Sequence, residues 1–148
     1  MGITVYCQHY FNLMLDIISL AKLMIKVEPI LEGSFNDQNK AELEVVIDKL
    51  EKVLNNKQTL ITLSELGVFI KNNSEKHHIP AHHRSIADVS GAGDTAISAF
   101  VLADLSGASI EESAMISNYA AGRVCEEVGV VPISIEMIKE IYMIRIMT

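Results

Sequence analysis

The chain is 148 residues long, which fits one domain, and its 49% hydrophobic and 21% charged residues exclude a disordered tail or a collagen-like repeat. Its 19 acidic and 12 basic side chains give a formal net charge of −7. Because the basic side chains are scattered and a phosphate backbone requires clustered Lys and Arg, we expect no nucleic-acid partner.

The first predicted helix covers Asp16 to Lys26, where apolar residues recur at helical spacing. The surrounding apolar run, Phe11 to Val27, is shorter than the roughly 20 residues of a membrane span, and it contains Asp16, Lys22 and Lys26. The segment before it lacks the basic start and small-residue cleavage site of a signal peptide. These features predict a cytoplasmic protein with no membrane partner.

The middle of the chain predicts one helix and three extended segments. The helix covers Lys40 to Leu54, with Asn39 as its N-cap and Glu42 as the reciprocal partner in a capping box. The extended segments are Thr59 to Leu63, Gly67 to Ile70 and His77 to Ala81. The first two are apolar and β-prone, while Pro80 excludes a helix interior from the third.

The last third of the chain is predicted to be mainly helical. The helices are about Asp94 to Leu105, about Ile110 to Glu127, and Ser134 to about Arg145. Ser109 and Glu112 have the spacing of a capping box at the start of the second. Helices that alternate with apolar strands are typical of an α/β sandwich.

Cysteines and histidines give weak signals for metal binding. Cys7 and Cys125 are far apart and lack C-x-x-C spacing, so they predict reduced thiols, with a disulfide between them as the alternative. A histidine cluster consists of His77, His78, His82 and His83. Its segment is extended and no cysteine lies near, so exposed histidines are the interpretation and a zinc site is the alternative.

The most informative segment is the loop Asp88 to Thr95 (DVSGAGDT), whose small residues lead into a predicted helix. Gly91 and Gly93 allow backbone N–H groups to approach a ligand, and N–H groups at a helix N-terminus bind anions. Asp94 would repel a phosphate, so it fits this loop if it accepts the proton of an attacking hydroxyl. The alternative is a plain helix start that Asp94 stabilises.

The residues from Asp88 to Val101 (DVSGAGDTAISAFV) resemble the second signature of the ribokinase, or PfkB-type, carbohydrate kinases. The match includes the first Asp and Val, the G-A-G-D core, and Ser98-Ala99 followed by two apolar residues. The resemblance implies that Asp94 is the catalytic base and that ATP with Mg²⁺ is the cofactor. The implied anion hole consists of the amides of Gly91, Ala92 and Gly93.

Further stretches resemble the family in the same order along the chain. Thr62 to Gly67 (TLSELG) resembles the strand-to-turn segment that borders the nucleotide, and Asn118 resembles an asparagine that lies by the adenine. The implied nucleotide-binding residues are Thr62, Ser64, Glu65, Gly67 and Asn118. The positions that match oxygen donors to a monovalent cation in several relatives are Asp88, Ser90, Val124 and Gly129. The resemblance thus implies a K⁺ site at Asp88 and Ser90.

The segments LITLSELG, HIPA and DVSGAGDT together resemble the kinase part of bacterial heptose 7-phosphate kinase/heptose 1-phosphate adenylyltransferases. Those enzymes phosphorylate D-glycero-D-manno-heptose 7-phosphate at C1, on the route to ADP-heptose and the lipopolysaccharide core. The resemblance is good from about Leu60 to Met137 and poor over residues 1–35. It covers the C-terminal half of the family's kinase domain, without the sugar-contacting residues and the small β lid.

An upstream N-x-x-E motif helps to organise magnesium and phosphates in this family. Asn39 to Glu42 fits the pattern, but it lies too near Thr62, and helix capping explains it equally well. Glu28 to Gly33 has the better spacing but lacks the asparagine. Both segments therefore stay open as candidates for a metal-organising site.

With the resemblance, the sequence predicts one partial ribokinase-like domain over residues 1–148. The expected fold is a Rossmann-like, three-layer α/β/α arrangement that comprises the C-terminal half and lacks the lid. The implied function is an ATP-dependent sugar kinase module, with ATP and a sugar phosphate as partners and a homo-oligomeric state. The alternative is a truncated, non-catalytic nucleotide-binding fragment that self-associates or pairs with a missing half.

Overall fold

The computed structural model describes residues 5–7, 37–54, 58–81 and 85–140. The elements, in chain order, are β1 (Val5–Cys7), α1 (Asp37–Leu54), β2 (Gln58–Thr62), β3 (Val68–Asn72), β4 (Lys76–Ile79), α2 (Ala92–Leu105) and α3 (Ile110–Val124). A short 3₁₀ turn over Ser64–Leu66 follows β2, and a further helix, α4, covers residues 135–140. The helix predicted over Asp16 to Lys26 lies outside the described residues. Within the described ranges, no helix has the length and apolar character needed to cross a membrane.

The strands form one sheet in the order β1–β2–β3–β4, and each neighbouring pair is antiparallel. β2 and β3 pair along their whole length, with Thr62 opposite Val68. The turn from β3 to β4 is fastened by Asn72, whose Oδ1 accepts the N–H groups of Ser74 at 2.9 Å and Glu75 at 2.8 Å. The predicted strands are therefore present, and short local turns join them.

Side chains alternate between the two faces of a strand, and here each face is covered by helix. On one face, the core contains Leu43, Val46 and Ile47 of α1 with Ile61, Leu63 and Phe69. On the other face, it contains Phe100 of α2 and Ile110 and Ala114 of α3 with Leu60, Val68 and Ile70. The result is the predicted three-layer α/β/α arrangement.

Polar contacts fix α1 to the sheet. The Nζ atom of Lys71 on β3 lies 2.5 Å from a carboxylate oxygen of Glu51 and 2.9 Å from one of Asp48. Burial lowers the pKa of Lys71, but the hydrogen bonds to Glu51 and Asp48 and the negative charges of these carboxylates together outweigh burial, so the pKa is raised.

The helix α1 begins at Asp37, so Asn39 lies inside it. The predicted N-cap at Asn39 is wrong, because an apolar stripe does not define where a helix starts.

The two later helices begin where the sequence predicts. Ser109 Oγ accepts the Glu112 N–H at 3.2 Å, and Glu112 Oε2 accepts the Ser109 N–H at 2.8 Å, which completes the predicted capping box of α3. Ser134 Oγ accepts the Met137 N–H at 3.2 Å at the start of α4. α3 ends at Val124, before the predicted end, and the predicted end of α4 lies outside the described residues.

Phe100 is the largest fully buried side chain of α2, and it joins this helix to the sheet. We expect Phe100→Ala to lower the free energy of unfolding by about 3–5 kcal/mol, because truncation leaves a cavity that the core fills only partly. Leu102→Ala is the matched control, since Leu102 is 67% exposed on the same helix, and we expect a change within about 0.5 kcal/mol. Urea denaturation measures both, and equal losses would contradict this packing.

Candidate functional site

A cavity of about 450 Å³ lies where the end of β2, the start of α2 and one side of α3 meet. Its lining includes every residue that the sequence assigned to catalysis, the anion hole or nucleotide binding. These are Thr62, Ser64, Glu65, Gly67, Gly91, Ala92, Gly93, Asp94 and Asn118. The fold therefore collects three segments that are distant in sequence around one cavity of ligand size.

The start of α2 presents backbone amides to this cavity. Gly91 is the N-cap, with φ 79° in the left-handed region that glycine adopts without strain. The first intrahelical bond runs from the Thr95 N–H to the Gly91 carbonyl at 2.9 Å. The N–H groups of residues 91–94 come before that bond and have no acceptor within the helix. Of these, the Ala92 N–H donates to the Val89 carbonyl at 3.2 Å in the turn before the helix. The positive end of the helix dipole thus faces the predicted anion hole.

Asp94 lies in the first turn of α2, where its exposed side chain lines the cavity. The sequence predicts a helix that starts at about Asp94, whereas α2 starts two residues earlier, at Ala92, and Asp94 is therefore its third residue. A carboxylate there also stabilises the helix through its dipole, so the plain-helix-start alternative accounts for its place in the helix. The helix dipole does not account for the cavity that the same side chain borders. The role of Asp94 as a base stays a prediction.

Asp88 connects the loop before α2 to the segment after α3. Its Oδ1 accepts the Ser90 N–H at 2.9 Å and the Ser90 hydroxyl at 2.8 Å, and its Oδ2 accepts the Gly129 N–H at 3.0 Å. The Cys125 carbonyl also accepts the N–H groups of Ala87, at 2.8 Å, and Asp88, at 3.2 Å. These bonds hold in place the loop that leads to the anion hole.

The hydrogen bonds to Asp88 predict a pH dependence. The Ser90 hydroxyl, with the backbone amides of Ser90 and Gly129, holds the pKa of Asp88 below its usual value. The pKa of Asp88 is therefore lower in the folded state than in the unfolded state. Ionised Asp88 stabilises the folded state fully above the unfolded pKa of about 3.9, and this stabilisation is lost as the pH falls through the folded pKa.

We therefore expect the Gly129 amide resonance to titrate with a midpoint below about pH 3.9. Asp88→Asn is the control, because it removes the titrating group and should remove the transition. NMR spectra collected from neutral to acidic pH measure the midpoint. A midpoint at or above the unfolded pKa would contradict the hydrogen-bonded geometry of Asp88.

The turn after β2 supplies the side of the cavity facing α3. Ser64 has φ 56°, a left-handed conformation that is uncommon outside glycine. The pKa of Glu65 is lowered by hydrogen bonds from its own backbone and from Ser64. The Leu63 N–H donates to the Gly67 carbonyl at 2.7 Å, and Gly67 has φ 93°. A Cβ at Gly67 would lie 2.0 Å from the Ile79 carbonyl oxygen, so only glycine fits there.

Asn118 lies on α3 and lines the same cavity. Its Nδ2 donates to the Pro80 carbonyl at 2.9 Å and lies 3.4 Å from the Ile79 carbonyl. Its side-chain nitrogen is thus directed at the backbone that follows β4. Tyr119, which follows it on the helix, also lines the cavity.

Comparison of the sequence with known proteins identifies the family of this chain. The profile of the pfkB family carbohydrate kinases matches residues 5–136. The chain belongs to this family. Among curated relatives, bifunctional protein HldE of Sulfurimonas denitrificans is 39% identical over 115 residues, which cover 78% of this chain and 24% of HldE. The chain thus spans about a quarter of that relative's length.

Solved structures share the fold of this pfkB-family chain. The ribokinase of Arabidopsis thaliana, complexed with ribose and ATP, gives a TM-score of 0.63 at 24% identity over 68% of this chain and 33% of its own. Phosphofructokinase-2 of Escherichia coli, in complex with potassium, gives 0.63 at 17% identity over 70% and 33%. These likenesses confirm the predicted ribokinase-like α/β fold.

Several cavity residues were given no site role by the sequence analysis, although Val89 and Ala96 lie within the Asp88 to Val101 signature. They are Val68, Ala81, Ile86, Val89, Ala96, Tyr119, Ala121, Gly122 and Cys125. Cys125 has a free thiol. Burial is the largest cause that raises its pKa, and the nearby negative charges of Asp88 and Glu126 raise it further. Most of these residues are small or apolar and resemble ordinary core positions in a sequence, so residue type alone does not mark them as cavity residues.

The two described members of the histidine cluster, His77 and His78, have different partners. His77 Nε2 lies 2.9 Å from Glu75 Oε2, whereas His78 Nε2 lies 2.8 Å from the Leu66 carbonyl oxygen. His82 and His83 lie outside the described residues, as does the segment from Glu28 to Gly33. Within the part of the chain that the structure describes, no three His, Cys, Asp or Glu side chains form a metal site. Glu42 lies on α1, which covers the sheet face opposite α2 and α3.

Proposed function

We propose that this chain is an ATP-dependent carbohydrate kinase module, a phosphotransferase with an alcohol group as acceptor. One observation carries the proposal: the predicted base, anion hole and nucleotide-binding residues all line a single cavity at the start of α2. Membership of the pfkB carbohydrate kinase family supports the same chemistry.

The proposed reaction uses Asp94 and the neighbouring amides. Asp94 accepts the proton of a sugar hydroxyl as that oxygen forms a bond to the γ-phosphorus of ATP. The bond from the γ-phosphorus to the bridging oxygen breaks, and its electron pair leaves with ADP. The amides of Gly91 and Gly93, at the positive end of α2, stabilise the charge on the transferring group.

The charges around the cavity suit a nucleotide that brings a metal ion. Among the described residues, the lining has two carboxylates, Glu65 and Asp94, and no Lys or Arg. Without a metal ion, only the backbone amides could compensate the negative charge of the triphosphate. Mg²⁺ held by phosphate and water oxygens would neutralise the phosphate charge that the two carboxylates otherwise repel, so the lining fits a Mg²⁺–ATP complex. Thr62, Ser64 and Gly67 would border this nucleotide.

A K⁺ ion at Asp88 and Ser90 is also proposed, next to the anion-hole loop. Asp88 Oδ2 accepts one hydrogen bond, from Gly129, and a carboxylate oxygen has a second lone pair. The Ser90 hydroxyl donates to Asp88, which leaves its own lone pairs to an ion. Both residues therefore fit a cation without breaking the observed bonds. E. coli phosphofructokinase-2 supports this proposal, since its structure is in complex with potassium.

The proposed acceptor is D-glycero-D-manno-heptose 7-phosphate, phosphorylated at C1 for ADP-heptose and lipopolysaccharide core synthesis. The identity to HldE and the three resembling segments support this choice. We also propose that the chain self-associates, which is supported by large apolar side chains that are exposed, among them Leu105 at 78% and Val128 at 84%.

A coupled assay of ADP release from Mg²⁺–ATP and heptose 7-phosphate tests the function. It is run on this chain and on a chimera in which residues 37–140 replace the matching segment of S. denitrificans HldE. We expect heptose-dependent turnover in the chimera, stimulated by KCl relative to NaCl. If the chimera folds and binds ATP but does not turn over, the non-catalytic nucleotide-binding alternative is correct.

A further inference from the structure

The backbone at the end of β4 borders one side of the cavity. This segment, Ile79-Pro80-Ala81, is named here the 79–81 wall, and Ala81 lines the cavity directly. Ile79, the last residue of β4, pairs with Val68 in the β3–β4 ladder, whereas Pro80 and Ala81 lie beyond the last pair. The position of Pro80 and Ala81 therefore depends on contacts with other elements.

Two elements, the turn after β2 and α3, contact the wall. From the turn after β2, the Cα of Gly67 packs so closely that a Cβ would lie 2.0 Å from the Ile79 carbonyl oxygen. From α3, Asn118 Nδ2 donates to the Pro80 carbonyl at 2.9 Å and lies 3.4 Å from the Ile79 carbonyl. Next to the wall, His78 Nε2 lies 2.8 Å from the Leu66 carbonyl oxygen. The turn and α3 thus both hold the wall.

The carboxamide of Asn118 has two N–H donors on one nitrogen, and that nitrogen is directed at the wall. These donors have the Pro80 carbonyl at 2.9 Å and the Ile79 carbonyl at 3.4 Å as partners, so a hydrogen bond from the same nitrogen to a bound base would have to replace one of them. Removing the carboxamide would leave the Pro80 carbonyl without this donor and would leave α3 unconnected to the wall at this point.

We propose that Asn118 is a positioning residue, which holds the 79–81 wall through its side-chain nitrogen and acts on a bound nucleotide only through that wall. This inference rests on the proposed function, because it concerns how the same cavity is kept in shape. It assigns Asn118 a contact with backbone carbonyls in place of a contact with the base.

The test compares Asn118→Asp and Asn118→Ala with the wild-type chain. Asn118→Asp keeps the size of the side chain but places an acceptor against two carbonyl oxygens, and Asn118→Ala removes the group. Ser98→Ala is the control, because Ser98 is exposed on α2 and outside the cavity lining. Each variant is measured by amide hydrogen exchange without nucleotide and by binding of Mg²⁺–ATP, Mg²⁺–GTP and Mg²⁺–CTP.

We expect exchange at the Ala81 amide to be about tenfold faster in both Asn118 variants and unchanged at Phe69 in the sheet. Affinity should fall by about tenfold, and by the same factor for all three nucleotides, because a displaced wall does not distinguish bases. Unchanged exchange at Ala81, or a loss confined to one nucleotide, would overturn the proposal.

The two measurements, hydrogen exchange and nucleotide binding, test this inference and the proposed function separately. If the wild-type chain binds none of the three nucleotides, the proposed function is wrong, while exchange at Ala81 still decides whether Asn118 holds the wall. If Asn118→Asp does not fold, Asn118→Ala gives the same comparison without an added charge.

Discussion

Replacing Asp94 with Asn is expected to lower the rate of phosphoryl transfer by ~10²–10⁴-fold, the usual contribution of a general base. Affinity for Mg²⁺–ATP should change by no more than about twofold, because a base acts on the attacking hydroxyl and does not hold the ground-state phosphates. Asn keeps the size of the side chain and its place in the first turn of α2. Single-turnover kinetics of the HldE chimera, together with calorimetric titration of ATP, measures both quantities.

Asp104→Asn is the matched control for Asp94→Asn. Asp104 lies at the other end of α2 and is not part of the cavity lining, so the same chemical change there should leave the rate of transfer unaltered. Retention of more than about a tenth of the rate by Asp94→Asn would contradict its role as the base.

Gly67→Ala is expected to destabilise the fold strongly, by about 2–6 kcal/mol. The new Cβ would lie 2.0 Å from the Ile79 carbonyl oxygen and 2.6 Å from the Ala81 nitrogen, so backbone must shift. The residue would also keep φ 93°, which an L side chain adopts only with strain. Urea denaturation of the variant measures the loss.

Gly107→Ala separates the two causes. Gly107 has a similar φ of 87°, but a Cβ there would meet no atom within 4 Å. This control should therefore show only the cost of the left-handed backbone, about 1–2 kcal/mol. Equal losses at the two positions would contradict the close packing of Gly67 against the 79–81 wall.

Local sequence signals predict much of the fold and of the cavity. The capping box at Ser109 depends on residues three apart, and the helix predicted from about Asp94, which begins at Ala92, depends on a loop of consecutive small residues. The family signature then relates Asn118 and Thr62 to that loop, and the structure brings all of them to one cavity. Predictions of this kind succeed because the determining residues are adjacent in sequence or belong to one long motif.

Other features depend on contacts that no local pattern contains. The antiparallel order of the sheet is defined by pairing between strands, and β1 pairs with β2 across a long stretch of sequence. The bond from Asn118 to Pro80 joins residues 38 positions apart. The predicted N-cap at Asn39 is wrong because the residues before it also adopt helical backbone. Tertiary geometry, and not residue type, determines these features.

The central claim is that the amides at the start of α2 bind the phosphates of a nucleotide in this cavity. The most direct measurement is an NMR titration of the isotopically labelled chain with Mg²⁺–ATP, and in parallel with adenosine. We predict that ATP shifts the amide resonances of Gly91, Gly93 and Asp94, and that adenosine, which has no phosphate, leaves them in place. The claim would be contradicted if saturating ATP shifted other amide resonances but left those of Gly91, Gly93 and Asp94 unchanged.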